Sequence, residues 1–96
     1  MTGYVISPRA QADIEDIWDY TAERWRDDQA ARYIRALQAA IETIAADPQR
    51  GRSCEQIRAG YRKYSAGSHV IFFRMSAGGI DAVRVLHQRM DFERHL

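Results

Sequence analysis

A chain of 96 residues, 46 % hydrophobic and 28 % charged, has the size and balance of one globular domain with a single modest core, which excludes a disordered chain. Its one cysteine, Cys54, excludes an internal disulfide and a multi-cysteine metal centre and suits a reducing cytoplasm. The formal net charge of +1 hides an asymmetry: residues 1–47 carry nine acids against five arginines, a net of −4, and residues 48–96 carry nine bases against four acids, a net of +5.

Met1–Ile6 has neither a basic leader nor a long apolar run, and no segment approaches the ~18 apolar residues of a membrane helix, so the expectation is no signal peptide and no membrane span. Tyr4-Val5-Ile6 reads as a short strand. Ser7-Pro8 follows as an N-cap with proline at the first helical position. Ala10, Ile14, Ile17, Trp18, Thr21 and Trp25 then recur at helical spacing, predicting one apolar face of a helix that runs to about Trp25. Glu15, Asp19 and Glu23 line its opposite face. Asp27 or Asp28 is expected to cap a second helix, whose stripe is Ala30, Tyr33, Ile34, Leu37, Ile41, Ile44 and Ala45. Asp47-Pro48 should end it, since the residue before proline avoids the helical region. Two helices joined by so short a connection fold back on each other.

Pro48–Ala59 reads as a surface loop, made basic by Arg50, Arg52 and Arg58. Three strands follow, over Gly60–Tyr64, Ser68–Met75 and Ile80–His87, with Gly67 and Gly78-Gly79 where the chain must reverse. The middle strand is apolar on both faces, Ile71, Phe73 and Met75 on one and Val70 and Phe72 on the other, which places it inside a sheet. In the last strand Val83 and Val85 should share a face. Gln88–Leu96 is a tail of at most two helical turns, too short and polar to be core. The predicted fold is α+β, in the order β-α-α-β-β-β: an N-terminal strand and an antiparallel two-helix hairpin packed on one face of a small, mostly antiparallel sheet, as a single domain over residues 1–96.

Catalytic signals are weak. Cys54 has no histidine near it in sequence, no serine sits in a nucleophile elbow, and no glycine loop cradles phosphate. The row Glu15, Asp19, Glu23 reads as a solvated helix face. His87, Asp91 and His95 are spaced by four, but His87 should end a strand, which spoils a shared zinc-binding face. His69, at the entry to the middle strand, is expected to be a hydrogen-bonded structural residue. Arg62, Lys63, Arg84, His87 and Arg89 form a basic set expected on the uncovered side of the sheet, able to hold a phosphate backbone or to dock a protein. Of the fourteen bases only Lys63 is lysine, and arginine's planar fork suits either carboxylate or phosphate.

The chain resembles the ParE branch of the RelE/ParE superfamily of bacterial type II toxins, and the likeness runs through all of it. Tyr4…Ser7-Pro8…Ala10…Asp13-Ile14…Ile17-Trp18…Tyr20 is similar to the family's opening. Gln29-Ala30…Tyr33 is similar to its second helix, Pro48…Gly51-Arg52 to its loop, and Gly60-Tyr61-Arg62…Gly67…His69-Val70-Ile71-Phe72-Phe73 to its central hairpin. The closing Arg84-Val85-Leu86-His87-Gln88-Arg89-Met90-Asp91 is the most specific part. Arg26 departs from the glycine that relatives often carry after the first helix.

The resemblance implies a cytoplasmic, non-enzymatic toxin without cofactor or metal that causes growth arrest. It would poison the cleaved-DNA complex of DNA gyrase and be neutralised, in a hetero-oligomer, by a ParD-type antitoxin with a ribbon-helix-helix head. The inhibitory element would be the tail Arg89, Met90, Asp91, Phe92, Glu93, Arg94, His95 and Leu96. Antitoxin contacts would fall on Arg58, Arg62, Glu15, Asp19 and Glu23. No sequence-specific nucleic-acid binding by this chain is expected. The superfamily's other branch cuts mRNA on the ribosome, and Arg62, Lys63, Arg84 and His87 partly imitate its basic set. The tail lacks that branch's tyrosine, however, and Met90-Asp91 is the ParE-like ending.

Overall fold

The computed structural model describes residues 3–96. Its elements are β1 (Gly3–Ile6), α1 (Pro8–Arg24), α2 (Asp27–Ala46), a 3-10 turn (Pro48–Arg50), β2 (Arg52–Ser53), β3 (Tyr61–Ala66), β4 (His69–Ser76), β5 (Gly79–His87) and α3 (Phe92–His95). The expected order is present, with two additions: β2 lies within the region read as loop, and the tail closes in a single helical turn.

α1 begins as its sequence dictates. Ser7 is extended and its Oγ accepts the Ala10 N–H at 3.1 Å, with Pro8 next in the first turn. α2 begins differently: the capping position is Arg26, which makes no side-chain cap bond. Asp27 and Asp28 instead lie inside the first turn, where carboxylates meet the positive end of the helix dipole.

The sheet order is β1-β5-β4-β3-β2, with β1 parallel to β5 and every other pair antiparallel. At Gly67 the β3–β4 turn needs φ +60 while backing onto the Tyr33 ring, so both conformation and space favour glycine. A Cβ on Gly79 would collide with the Gly3 backbone, which is how β1 approaches β5 so closely.

β4 is apolar on both faces because both faces are covered. Under the helices, Ile71 and Phe73 pack with Ile80, Val85, Ile17, Leu37, Ile41 and Ile44. On the other face, Val70 and Phe72 join Leu86 and Cys54 in a second cluster, closed over by Ile57, Tyr61, Val83, Phe92 and Leu96. This second cluster corrects two expectations. The segment around Cys54 is not wholly a surface loop, and the tail is not too polar to contribute to a core. Trp18 and Trp25, expected in the buried stripe of α1, are 36 % and 61 % exposed.

A β-bulge explains another difference. Phe72 pairs with Arg84 and Phe73 with Ala82, so Val83 is an extra residue in β5. The alternation slips by one there, placing Val83 in the second cluster and Val85 in the first instead of on a shared face. β1 pairs with β5 only as far as Ile6–Ala82, and the entry to α1 completes the edge beyond. Ser7 donates from N to the Ala82 carbonyl and from Oγ to the Val83 carbonyl. The Asp13 carboxylate accepts the Val85 N–H at 2.9 Å, as a neighbouring strand would.

Arg84 locks this arrangement. Its Nε and Nη2 donate to the two Asp13 oxygens at 2.8 and 2.9 Å, and its Nη1 donates to the His95 carbonyl at 2.7 Å. Both side chains of the pair are only 13 % exposed. The Asp13 hydrogen bond outweighs burial and holds the guanidinium above its ordinary pKa. Removing one partner would strand a largely buried charge, which costs more than the pair itself contributes. Asp13→Ala should lower unfolding stability by about 3 kcal/mol, read as a lower urea midpoint, whereas charge removal at the exposed Asp28, paired with Arg32 at 3.4 Å, should shift it by less than about 0.5 kcal/mol. Equal small effects at both positions would contradict this account.

Candidate functional site

The tail is seated, not loose. Its first turn is held by the Met90 N–H on the His87 carbonyl and the Arg89 N–H on His87 Nδ1, at 3.0 and 3.1 Å. Asp91 caps α3 by accepting the Glu93 N–H. Phe92 then meets Phe72 edge to face, ring centroids 4.9 Å apart, and Leu96 packs on the same cluster. With Phe92 and Leu96 turned inward, the tail presents Arg89, Met90, Asp91, Glu93 and Arg94 to solvent, and His95 is half-buried.

The basic residues do not gather on one surface. Arg62 pairs across the ladder with Phe73, so it lies on the helix-covered side, where its Nη2 donates to the Gly51 carbonyl at 2.9 Å. Lys63 faces the opposite side, its ammonium 6.0 Å from the Phe92 ring centroid. Arg84 is committed to Asp13. The expectation that these charges share the uncovered side of the sheet therefore fails, because neighbouring residues on one strand point to opposite faces and each face carries a core cluster. Arg58 is exposed beside Tyr61, its guanidinium 5.7 Å from the ring centroid.

The histidines form a second close polar constellation, beside that of Asp13 and Arg84. Tyr33 OH stands 2.6 Å from His69 Nδ1 and accepts the Ser68 N–H at 3.0 Å. Tyr33 OH and His69 Nδ1 share one short hydrogen bond, whose donor is set by the His69 tautomer. His69 is thus the hydrogen-bonded structural residue expected, with a partner that its sequence neighbours did not indicate. The register sets His69 opposite His87, ring centroids 5.3 Å apart. Burial, and secondly the charge of His87, push the His69 pKa below its ordinary value. Asp16, Ile17 and Tyr20 line a cleft of about 270 Å³ with the two histidines, and Asp13 and His95 lie in the adjoining concavity. Asp13 and Arg84 neutralise each other there and Asp16 adds a carboxylate, so the concavity offers a phosphate backbone no free arginine. His87 ends β5 as expected, and among the described residues no group of three or more His, Cys, Asp or Glu could hold a metal ion.

Glu15, Asp19 and Glu23 are all exposed on α1. The same helical hairpin exposes Tyr20 and Trp25, at 59 % and 61 %, and Trp25 lines a shallow concavity with Gln29, Arg32, Tyr33 and Ala36. Aromatics are enriched where proteins meet, so Tyr20 and Trp25 are the candidate contact residues of the hairpin. Asp13 and the residues of the second cluster escaped notice as structural parts of the site. An apolar second face on β4 was the available signal for that cluster, whereas nothing local ties Asp13 to Arg84. Among the described residues no helix is long and apolar enough to cross a membrane.

Comparison with known proteins agrees with this architecture. A family model described as the ParE toxin of the type II toxin–antitoxin system, parDE, matches residues 4–92. A Mycobacterium tuberculosis protein named Toxin ParE1 is 58 % identical over 94 residues, covering 97 % of this chain and 96 % of the relative. A Caulobacter vibrioides protein of the same name is 49 % identical over 96 residues, covering 100 % and 99 %. A solved structure titled as the chromosomal ParDE TA system from P. aeruginosa superposes with a TM-score of 0.79 at 16 % identity, covering 91 % of this chain and 96 % of that one, a likeness of fold.

His69 supplies a measurable handle on the cleft. Its folded pKa lies below the unfolded value of about 6.5, so the unfolded chain binds the proton more readily and stability falls as pH drops below about 6.5. The urea midpoint should decline as pH falls below about 6.5, and His69→Gln, which keeps a hydrogen-bonding group for Tyr33, should flatten that decline. An unchanged slope would show that His69 is not the titrating group.

Proposed function

Since this chain belongs to the ParE toxin family of type II toxin–antitoxin systems, we propose that it inhibits DNA gyrase in the cytoplasm, trapping the cleaved-DNA complex without catalysing a reaction itself, and that a ParD-type antitoxin with a ribbon-helix-helix head neutralises it. The observation that carries this reading is the family match over residues 4–92 together with near-full-length identity to proteins named as ParE toxins. The seated tail supports it. Phe92 and Leu96 anchor the segment on the sheet while Arg89, Met90 and Arg94 stay exposed, so a second protein meets a preordered surface and less entropy is lost on contact.

The antitoxin contact set is Arg58 with the exposed row Glu15, Asp19 and Glu23, extended by Tyr20 and Trp25. Arg62, turned inward and bonded to Gly51, is left out of it. Cleavage of mRNA by Arg62, Lys63, Arg84 and His87 is disfavoured because those side chains are dispersed and Arg84 is neutralised by Asp13.

The purified chain should block gyrase supercoiling and accumulate cleaved DNA, and the antitoxin encoded beside it should restore activity. Truncation after His87 should abolish inhibition, but it also uncovers Phe72. The paired change Met90→Ala with Arg94→Glu leaves both anchors in place and should reduce inhibition by about tenfold or more while antitoxin affinity holds. Supercoiling left untouched by the chain, together with discrete mRNA cuts on translating ribosomes that vanish in His87→Ala, would sink the gyrase reading.

A further inference from the structure

Resting on the antitoxin reading above, we propose that the unpaired end of β3, flanked by Arg50 and Arg52, takes an extended, carboxylate-rich segment of the antitoxin as an added strand of the sheet. β2 is too short to cover its neighbour. It pairs Arg52 with Lys63 and Ser53 with Arg62, while β3 continues to Ala66. The Cys54 N–H donates to the Tyr61 carbonyl, so Tyr61 turns its backbone groups toward the β2 side. By alternation Lys63 and Ser65 do the same. Ser65 lies past the start of β2, where the chain leaves the sheet edge through Gly51 into the 3-10 turn, the Gly51 N–H bonding the Pro48 carbonyl. Its outward N–H and C=O therefore face open space. A cleft of about 430 Å³ lies there, lined by Arg50, Arg52, Lys63, Tyr64 and Ser65.

The charges around this notch are poorly compensated within the chain. Arg52 and Lys63 stand directly opposite each other on an antiparallel pair, a like-charge placement that weakens the pairing. Asp47 stands 3.8 Å from Arg50 and is already engaged with the Gln49 N–H, and none of the cleft's lining residues is acidic. A strand bearing carboxylates would satisfy both demands together. Its backbone would bond Ser65 and its side chains would meet Arg50 and Arg52, as in recognition by strand addition. A nucleic-acid backbone would meet the cations but leave the donor–acceptor pair of Ser65 without the complementary strand.

The test uses the full chain with its antitoxin. On complex formation the Ser65 amide should exchange with deuterium at least about tenfold more slowly. Ser65→Pro removes that donor without touching the β3–β4 ladder, and should weaken antitoxin binding about tenfold. Arg52→Glu places opposite charges across β2–β3, so the free chain should melt higher while antitoxin affinity falls about tenfold and becomes less sensitive to salt. A complex that forms with Ser65 exchange unchanged and with Arg52→Glu affinity within about twofold of the parent would overturn the notch and leave the antitoxin reading standing. Arg52→Glu or Ser65→Pro chains that lose only a single-stranded oligonucleotide, or that only self-associate through the edge, would overturn it also. If the antitoxin fails to bind the parent chain, both readings fall.

Discussion

The ion pair between Asp13 and Arg84 is the constraint on which the rest of the molecule depends. One carboxylate holds the guanidinium through both oxygens and also accepts the Val85 N–H. It thereby stands in for a strand that β1 is too short to provide. The same guanidinium reaches the His95 carbonyl. Helix, bulge and tail are therefore positioned by one largely buried cation, and charge-assisted bonds of this kind hold geometry more tightly than neutral ones. An arginine that looks available for phosphate in the primary structure is in fact occupied in holding the domain together.

The β5 bulge has consequences on both faces of the sheet. By inserting Val83, it sends one valine to each cluster and makes room on the far face for a second, smaller core. That core includes Cys54, whose thiol burial pushes above its ordinary pKa against the pull of Lys63 and Arg62, so it behaves as a packed apolar group instead of a reactive one. Because the second core is closed by Phe92 and Leu96, the tail is part of the fold and a presented surface at once. A contact made there by a partner bears on residues already ordered.

Three surfaces on so small a domain carry different chemistry. The helical hairpin exposes aromatics beside an acidic row, the tail exposes arginines and a methionine, and the β2–β3 edge exposes cations beside unpaired backbone. Such division would let the proposed target and the proposed antitoxin be met by separate faces. The two-histidine cleft fits less easily into that scheme as a catalytic feature. Behind it, Tyr33 is committed to Ser68 and His69, and Asp16 places a carboxylate in its wall.

Much of the fold was legible in the residues alone. Ser7-Pro8, the helical stripes, the turn glycines and the doubly apolar run Val70–Phe73 each carry a local physical signal, and those signals add up to β-α-α-β-β-β. The family was legible as well, since its motifs are local runs that survive in order. Local signals could not say which faces of the sheet would be covered, because a nine-residue tail reads as polar until Phe92 finds Phe72. Nor could they show that Val83 and Val85 part company, since a bulge is a mismatch between two strands and not a property of one. Asp13 with Arg84, His69 with Tyr33, and the empty place beside Ser65 were decided by the tertiary structure alone, because each joins groups distant in the chain whose meeting depends on how the whole sheet and its helices pack.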